Sequence, residues 1–464
     1  MKKRILIPFL AISLLFVSCF EDLDDNLNQA STLDIQNFIY RGLNYYYLYK
    51  ADKPELANDA FANQGALDDF LGSYESPEAL FEYLKSPQDR FSNLFSDFRV
   101  IEDALSGISL SNGMEYGLVY YPNGSNNVFG YVRYVLPNTD AETKGLKRGD
   151  LFTHVNGTQL TANNYQDLLA PDSYSVELAT FNGTSFELTG EDFLLNKTQY
   201  TENPVYKTQT FDVNGEKIGY VVYNSFTKNF DTELNDAFAQ LKAEGITNLV
   251  LDLRYNGGGS VETATDLASM ITGQFTGQVF YKEFWNEDRQ AANAQNGLFD
   301  DAISNGTAIN SLNLSSVYII TTGRTASASE LVINGLNPYI NTVQVGDTTT
   351  GKFQASFLLY DAPAPQFSKT NANPSHNYVM LPLVFKTSNV EDNTDFVDGL
   401  FPQIQLKENY FNLGQLGDEN EPLLAAAISE IAGRPLPVKK EFRALNQLSD
   451  SKAGSPIEGK MIAN

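Results

Sequence analysis

The 464-residue chain has one cysteine, two histidines and one tryptophan. A single cysteine excludes an intrachain disulfide and a thiolate zinc cluster. Two histidines, His154 and His376, leave little imidazole for a hydrolase that relies on a serine–histidine pair. His154 lies in an alternating stretch and reads as a surface strand residue. Basic residues are the minority, 32 Lys and Arg against 57 Asp and Glu, for a net charge of −25. Removal of Lys2, Lys3 and Arg4 with a leader would make it three charges more negative. Such a surface repels nucleic acid and anionic membranes, and no basic patch interrupts it. Internal repeats are absent, and no metal-ligand motif or cofactor fingerprint stands out, so no cofactor is expected.

What is there begins with aromatics. With 25 Tyr and 31 Phe in an ordinarily apolar chain, disorder is excluded and the length suffices for two or three domains. Met1-Lys2-Lys3-Arg4 precedes an apolar run over 5–17, too short to span a membrane as a mature helix and shaped like a secretory signal. The run ends in Leu15-Phe16-Val17-Ser18-Cys19, which resembles the lipobox of bacterial lipoproteins. The resemblance implies removal of 1–18 and a lipid anchor on Cys19, hence the cell envelope, with the outer membrane expected and its side left open. Acidic residues from Glu21 to Asp25 then mark 19–31 as a tether.

Residues 32–104 read as a helical region. Ile35, Phe38, Ile39, Leu43, Tyr46 and Tyr47 recur at helical spacing behind Asp34, and Ser76-Pro77-Glu78 is a helix start. Residues 105–200 change to short alternating stretches with Asn-Gly turns, and read as β-rich. From 201 to 434, strands alternate with helices. A strand at 217–223, a helix at 231–243 ended by Gly245, a strand at 248–253, a helix at 261–272, a strand at 317–320 and a helix from Ala328 form a βαβ series, which implies a sheet covered by helices. Residues 435–464 are polar, with Pro435, Pro437 and Gly454, and read as a loose tail.

Two residues carry the chemistry. Ser327 stands where a buried strand gives way to a helix, in Thr325-Ala326-Ser327-Ala328-Ser329-Glu330. That position can expose a hydroxyl beside helix-start amides, although serine there also serves simply as a cap. Lys352 follows Gly351. A lysine can replace histidine as the base for serine if burial keeps it neutral. Between them in purpose lies Asp252-Leu253-Arg254-Tyr255-Asn256-Gly257-Gly258-Gly259. Three glycines let backbone amides turn toward a ligand, as an oxyanion hole requires. A phosphate loop would need a Gly-Lys-Ser/Thr ending, which is missing.

The segment 145–157, GLKRGDLFTHVNG, resembles the signature of PDZ domains, and the order GYVVYNSF, LVLDLRYNGGG, TASASE and TGK behind it resembles the carboxyl-terminal processing (tail-specific) serine proteases. The resemblance covers roughly 105–430, and the helical region is similar to that of lipoprotein members of Bacteroidetes type. It implies an α/β multidomain fold, with a core related to the ClpP/crotonase superfamily and a PDZ-like β-rich domain. It also implies Ser327 as nucleophile, Lys352 as base and Glu330 as support. Amides of Gly258, Gly259 and Ala328 are the expected oxyanion donors. Tyr116-Gly117-Leu118-Val119 is the expected carboxylate loop for polypeptide substrates captured by their free C-termini. Where the family carries glutamine four residues after the lysine, this chain has Ser356, with Gln354 out of register and an insertion over 355–380.

The reading is therefore a lipid-anchored serine endopeptidase. Two rivals differ in class: a non-catalytic peptide-binding lipoprotein on a protease-like scaffold, and a crotonase-like acyl-CoA enzyme. An intact serine–lysine pair counts against the first, and the PDZ-like segment with an export signal against the second. Oligomeric state is not legible.

Overall fold

The computed structural model describes residues 29–436 and 445–463. The signal segment and Cys19 lie outside the described residues. The first helix, α1 (Thr32–Tyr46), starts in a capping box: Asp34 N donates to Ser31 Oγ at 3.2 Å, and Ser31 N to Asp34 Oδ2 at 2.9 Å. Its face of Ile35, Phe38, Ile39 and Leu43 is buried. Helices α2 (Gln64–Leu71) and α3 (Pro77–Leu84) pack beside it, the latter capped by Ser76 with proline in its first turn. The helical expectation is interrupted between Leu84 and Phe98, after which a further helix spans Phe98–Leu105. In the interruption Asn93–Phe95 forms a strand that pairs with Val379–Leu381, at the end of the insertion, because a hydrogen-bonding edge is offered there.

The β-rich domain contains β1 (Met114–Tyr120), β2 (Val128–Val135), β3 (Leu151–Val155), β4 (Ser173–Phe181) and β5 (Phe186–Asn196), antiparallel in that order. The α/β core follows. Its first sheet takes β6 (Val205–Val213), β7 (Glu216–Tyr223) and β8 (Asn248–Asp252), with α4 (Asp231–Glu244) between the last two. After β8 come the short β9 (Gly259–Ser260) and α5 (Val261–Ile271), then β10 (Val279–Trp285) and β11 (Asn296–Leu298). Next are β12 (Ser316–Thr321), α6 (Ala328–Leu336) and β13 (Asn341–Gly346). The last core elements are β14 (Gln354–Ser356), β15 (Leu383–Ser388), β16 (Ile404–Gln405) and α7 (Pro422–Ile431).

The first core sheet runs β6-β7-β8-β12-β13-β16, parallel from β7 onward. Strand alternation assigns its faces. Val221, Leu249, Leu251 and Ile319 point into the cluster with α4, α5 and α6, while Tyr220, Val222, Val250 and Ile320 point to α7. This is the sheet covered by helices on both faces that βαβ alternation requires.

The polar tail is a correction. After Leu445 the chain forms β17 (Gln447–Asp450) and β18 (Met461–Ile462). Strand β17 adds to the outer edge of β1. Strand β18 enters a second six-stranded sheet of order β9-β18-β14-β15-β10-β11. Composition misjudged this segment because its strands are two to four residues long and are anchored by neighbours rather than by their own apolar content.

Candidate active site

Ser327 sits in the turn from β12 into α6 with φ +67° and ψ −116°. A non-glycine residue there is strained and persists only if its surroundings over-determine it. They do: Ala326 N donates to Asn256 O at 3.1 Å, Thr325 Oγ1 to Leu253 O at 2.8 Å and Ser329 Oγ to Asn256 O at 3.2 Å. Ser327 and Glu330 stand in the capping-box relation at the start of α6, and the Ser327 amide donates to Glu330 Oε2 at 2.7 Å. The return half is slack: Ser327 Oγ is fully buried and makes no hydrogen bond of ordinary geometry among the described residues.

Lys352 is likewise fully buried. Its Nζ donates to Gln354 O at 2.8 Å and lies 5.3 Å from the centre of the Phe91 ring. Burial, reinforced by the nearby ammonium of Lys460, holds the Lys352 amine well below the usual lysine range. Lys460, also largely buried, is pushed down to about 8. The neutral amine that general-base chemistry needs is thus favoured by position. Phe91, Arg90 and Tyr49 of the N-terminal region form the wall: Arg90 Nη2 donates to Gly351 O at 2.9 Å and Gln354 Nε2 to Tyr49 Oη at 2.8 Å.

Glu330 joins the two halves. Its carboxylate accepts from Ser327 N at 2.7 Å, Lys352 N at 2.9 Å, Gly351 N at 2.7 Å and Thr349 Oγ1 at 2.5 Å. Burial raises its pKa against the pull of these donors. It touches backbone on both sides and is a positioning residue.

The glycine turn lies against the serine. A Cβ on Gly258 would fall 2.6 Å from Ser327 Cβ and 2.9 Å from Ser327 Oγ, so only glycine fits, and φ of +110° there demands it too. The expected oxyanion donors divide. Ala328 N has no acceptor among the described residues, but Gly258 N donates to Asn256 Oδ1 at 2.9 Å and Gly259 N to Lys460 O at 2.8 Å. In this arrangement Gly258 and Gly259 are therefore not open donors. Asn256 was not singled out by sequence, because a turn asparagine is ordinary. Here its side chain also donates to Tyr223 O at 2.9 Å and so pins the turn to β7.

A third partner after the lysine is not supplied in the usual way. Ser356 Oγ and Gln354 Oε1 are buried without a hydrogen bond. The two histidines stand elsewhere: His154 Nδ1 is 3.0 Å from Thr153 Oγ1 on β3, and His376 Nε2 is 3.0 Å from Asp361 Oδ2.

The expected carboxylate loop Tyr116–Val119 is a strand, and its outer edge is filled. Gln447 pairs with Val119, Ser449 with Leu118 and Asp450 with Gly117. Asp450 Oδ2 is ion-paired to Arg324 at 2.6 Å and Arg133 at 3.4 Å, tying core and β-rich domain together through this segment. The domains also meet where Arg148 of the GLKRGD segment reaches Glu408 at 2.8 Å and Tyr255 Oη at 2.7 Å. Glu408 also pairs with buried Arg254 at 3.2 Å. Between the domains a cavity of about 610 Å³, bordered by Glu115, Tyr116, Ser225, Ile457 and Gly257, ends at Gly258 beside the serine.

Residues 217–360 match the family described as peptidase family S41, and residues 34–93 match the peptidase S41 N-terminal domain. The chain carries the domains of peptidase family S41. The S41 stretch holds the glycine turn, Ser327 and Lys352, and the S41 N-terminal stretch holds Tyr49, Arg90 and Phe91, which enclose the lysine. A chloroplastic C-terminal processing peptidase from Tetradesmus obliquus is 24% identical over 309 residues, covering 63% of this chain and 62% of its own length. A carboxyl-terminal-processing protease from Picosynechococcus is 26% identical over 299 residues, covering 62% of this chain and 66% of its own. The chain thus spans less than two thirds of either relative. A solved structure from Bacteroides fragilis, ascribed to the S41 proteases, superposes with TM-score 0.66 at 25% identity, covering 85% of this chain and 97% of that one.

Proposed function

We propose that this S41 chain is a serine endopeptidase of the carboxyl-terminal processing type, working through Ser327 and Lys352. The observation that carries the reading is that the Lys352 amine and a strained, unbonded Ser327 hydroxyl are both fully buried, with one carboxylate, Glu330, accepting from the backbone amides of both residues. Lys352 takes the proton of Ser327 Oγ as that oxygen attacks a peptide carbonyl. The Ala328 amide, at the positive end of α6, faces the developing oxyanion. Lys352 returns the proton to the leaving amine, and water then frees the acyl group by the reverse sequence.

Both reacting groups are covered in the resting arrangement, and a glycine-turn amide is spent on Lys460 O. Substrate entry therefore requires the segment 446–462 to yield its place. The PDZ-like role follows the same logic: an extended polypeptide adds to the β1 edge when β17 leaves it. The lipid anchor on Cys19 would hold the enzyme at the cell envelope.

Coverage of the site favours one alternative, a peptide-binding lipoprotein on a protease-like scaffold. A serine-reactive fluorophosphonate probe separates the two. Labelling of Ser327 that is lost in Lys352→Ala supports the peptidase, whereas an unlabelled folded protein supports the binder.

A further inference from the structure

A second cluster of chemistry-bearing side chains lies on α5, one turn beyond the glycine turn. Glu262 and Asp266 stand four residues apart on that helix and so share a face. Asp300, from the loop after β11, joins them: one carboxylate oxygen from each of the three lies within 4.8 Å of the others. Asp231, at the first position of α4, is close enough to raise the proton affinity of Asp266.

The feature that needs explaining is Asp266. It is fully buried, and neither of its carboxylate oxygens has a hydrogen-bond partner. A buried carboxylate is ordinarily satisfied by donors or by a cation, because desolvation without compensation is expensive. Asp231 Oδ2 and the fully buried Tyr223 hydroxyl are unpartnered as well. Among the described residues none of the four carboxylates is in an ion pair. The nearest cation felt by Asp231 and Asp266 is Lys228, at a distance that forms no salt bridge. The site is not simply loose. Thr263 Oγ1 donates to Asp231 Oδ1 at 2.6 Å, and Asp300 N donates to Ser269 Oγ at 2.8 Å, so hydrogen bonds orient the outer members while the central one is left bare.

We infer that Glu262, Asp266 and Asp300, with Asp231 alongside, form a binding site for a divalent cation of the calcium class. The donor set is oxygen only, which disfavours zinc and copper and suits a hard cation. Calcium takes its oxygen ligands at about 2.3–2.6 Å, and a span of 4.8 Å between ligand atoms is one that such an ion bridges. The bare oxygens of Asp266 are placed to ligate it. A cation here would fasten α4, the loop at Asp300 and α5, the helix that begins at the glycine turn, to one another. Sequence spacing hides the site, because its members are spread over positions 231, 262, 266 and 300 and form no loop motif.

The full chain, dialysed against chelator, is titrated with calcium chloride by calorimetry and by thermal unfolding. One calcium per chain, with a melting temperature raised by about 5 °C at a hundredfold excess over Kd, is expected. In Asp266→Asn both responses disappear. That variant, relieved of like-charge repulsion, melts above the chelator-treated wild type. Should Asp266→Asn not fold, Glu262→Gln provides the second arm, with calcium affinity lowered at least tenfold. An absence of calcium binding in the wild type overturns the assignment. So does unchanged binding in a folded Asp266→Asn protein, and so does a wild type that is stabilised equally by acidification with no cation response, which would mean that Asp266 is simply protonated.

Discussion

Removing the Glu330 carboxylate should destabilise the fold more than removing either side chain that it positions. In Glu330→Ala the buried amides of Ser327, Gly351 and Lys352 lose their acceptor together. Each orphaned buried donor costs about 1–3 kcal/mol, so the three together cost about 3–9 kcal/mol. That is comparable with the whole stability of a typical domain, about 5–15 kcal/mol. Water entering the vacated space would lower the figure, since the site is polar. Glu330→Gln keeps one acceptor oxygen; with that oxygen toward Ser327 N and Lys352 N, the new amide faces Gly351 N and the rotatable Thr349 hydroxyl, and should cost about 1–3 kcal/mol for the one backbone amide left unpaired. Turnover should suffer out of proportion in both variants, because a displacement of about 1 Å between nucleophile and base can cost roughly a hundredfold. Urea unfolding followed by tyrosine and tryptophan fluorescence measures the first effect, and cleavage of an unstructured peptide measures the second. A Glu330→Ala protein within about 0.5 kcal/mol of wild type, with full turnover, would show that the carboxylate does not hold the site together.

Ser327→Ala and Lys352→Ala should each lose on the order of a thousandfold or more of peptidase activity, with the double variant little worse than either; additive losses would refute a single catalytic unit. Because burial depresses the folded-state pKa of Lys352 below its unfolded value, activity should be present above that depressed pKa and fall as acid protonates the amine. Above it the unfolded chain binds the extra proton, so the lysine's contribution to stability should rise with pH up to about 10.4. A pH–rate profile with its acid limb at an ordinary lysine value would contradict this. Asp450→Asn, which weakens the ion pairs to Arg324 and Arg133, should lower KM for extended peptides as β17 yields the β1 edge; a raised KM would mean that the segment builds the groove rather than covers it. Cys19→Ser should abolish incorporation of a labelled fatty acid, and equal labelling of both proteins would remove the anchor from the scheme.

The core was legible because its signals are local. The strand at Asn248–Asp252 is a continuous apolar run, Gly245 takes φ +70° as the cap of α4, and Ser76-Pro77 opens α3. Ser327 and Lys352 could be singled out because a serine at a strand-to-helix turn, followed by a Gly-Lys, is a plausible nucleophile and base where imidazole is scarce. Features made by distant partners did not show. Asn93–Phe95 becomes a strand only because Val379–Leu381 lies beside it. The engagement of Gly258 and Gly259 depends on an ordinary asparagine and on a carbonyl two hundred positions downstream. The wall around Lys352 draws on Tyr49, Arg90 and Phe91, whose sequence context says only that they are aromatic or basic. The fate of the β1 edge was hidden in the same way, since a two- to four-residue strand has no periodicity to read.

Strand β18 pairs with β9, which follows the glycine turn, on one side and with β14, which follows the lysine, on the other. No hydrogen-bonded ladder joins those two flanks directly. Synthesis runs in chain order, so Ser327, Lys352 and the glycine turn all emerge well before Met461 and Ile462. The sheet that brackets them can close only by a contact of long sequence separation, which is slow to form. A partly made chain therefore carries these residues without their final scaffold. Chain order thus leaves the two flanks of the site unjoined by this strand until Met461 and Ile462 have emerged.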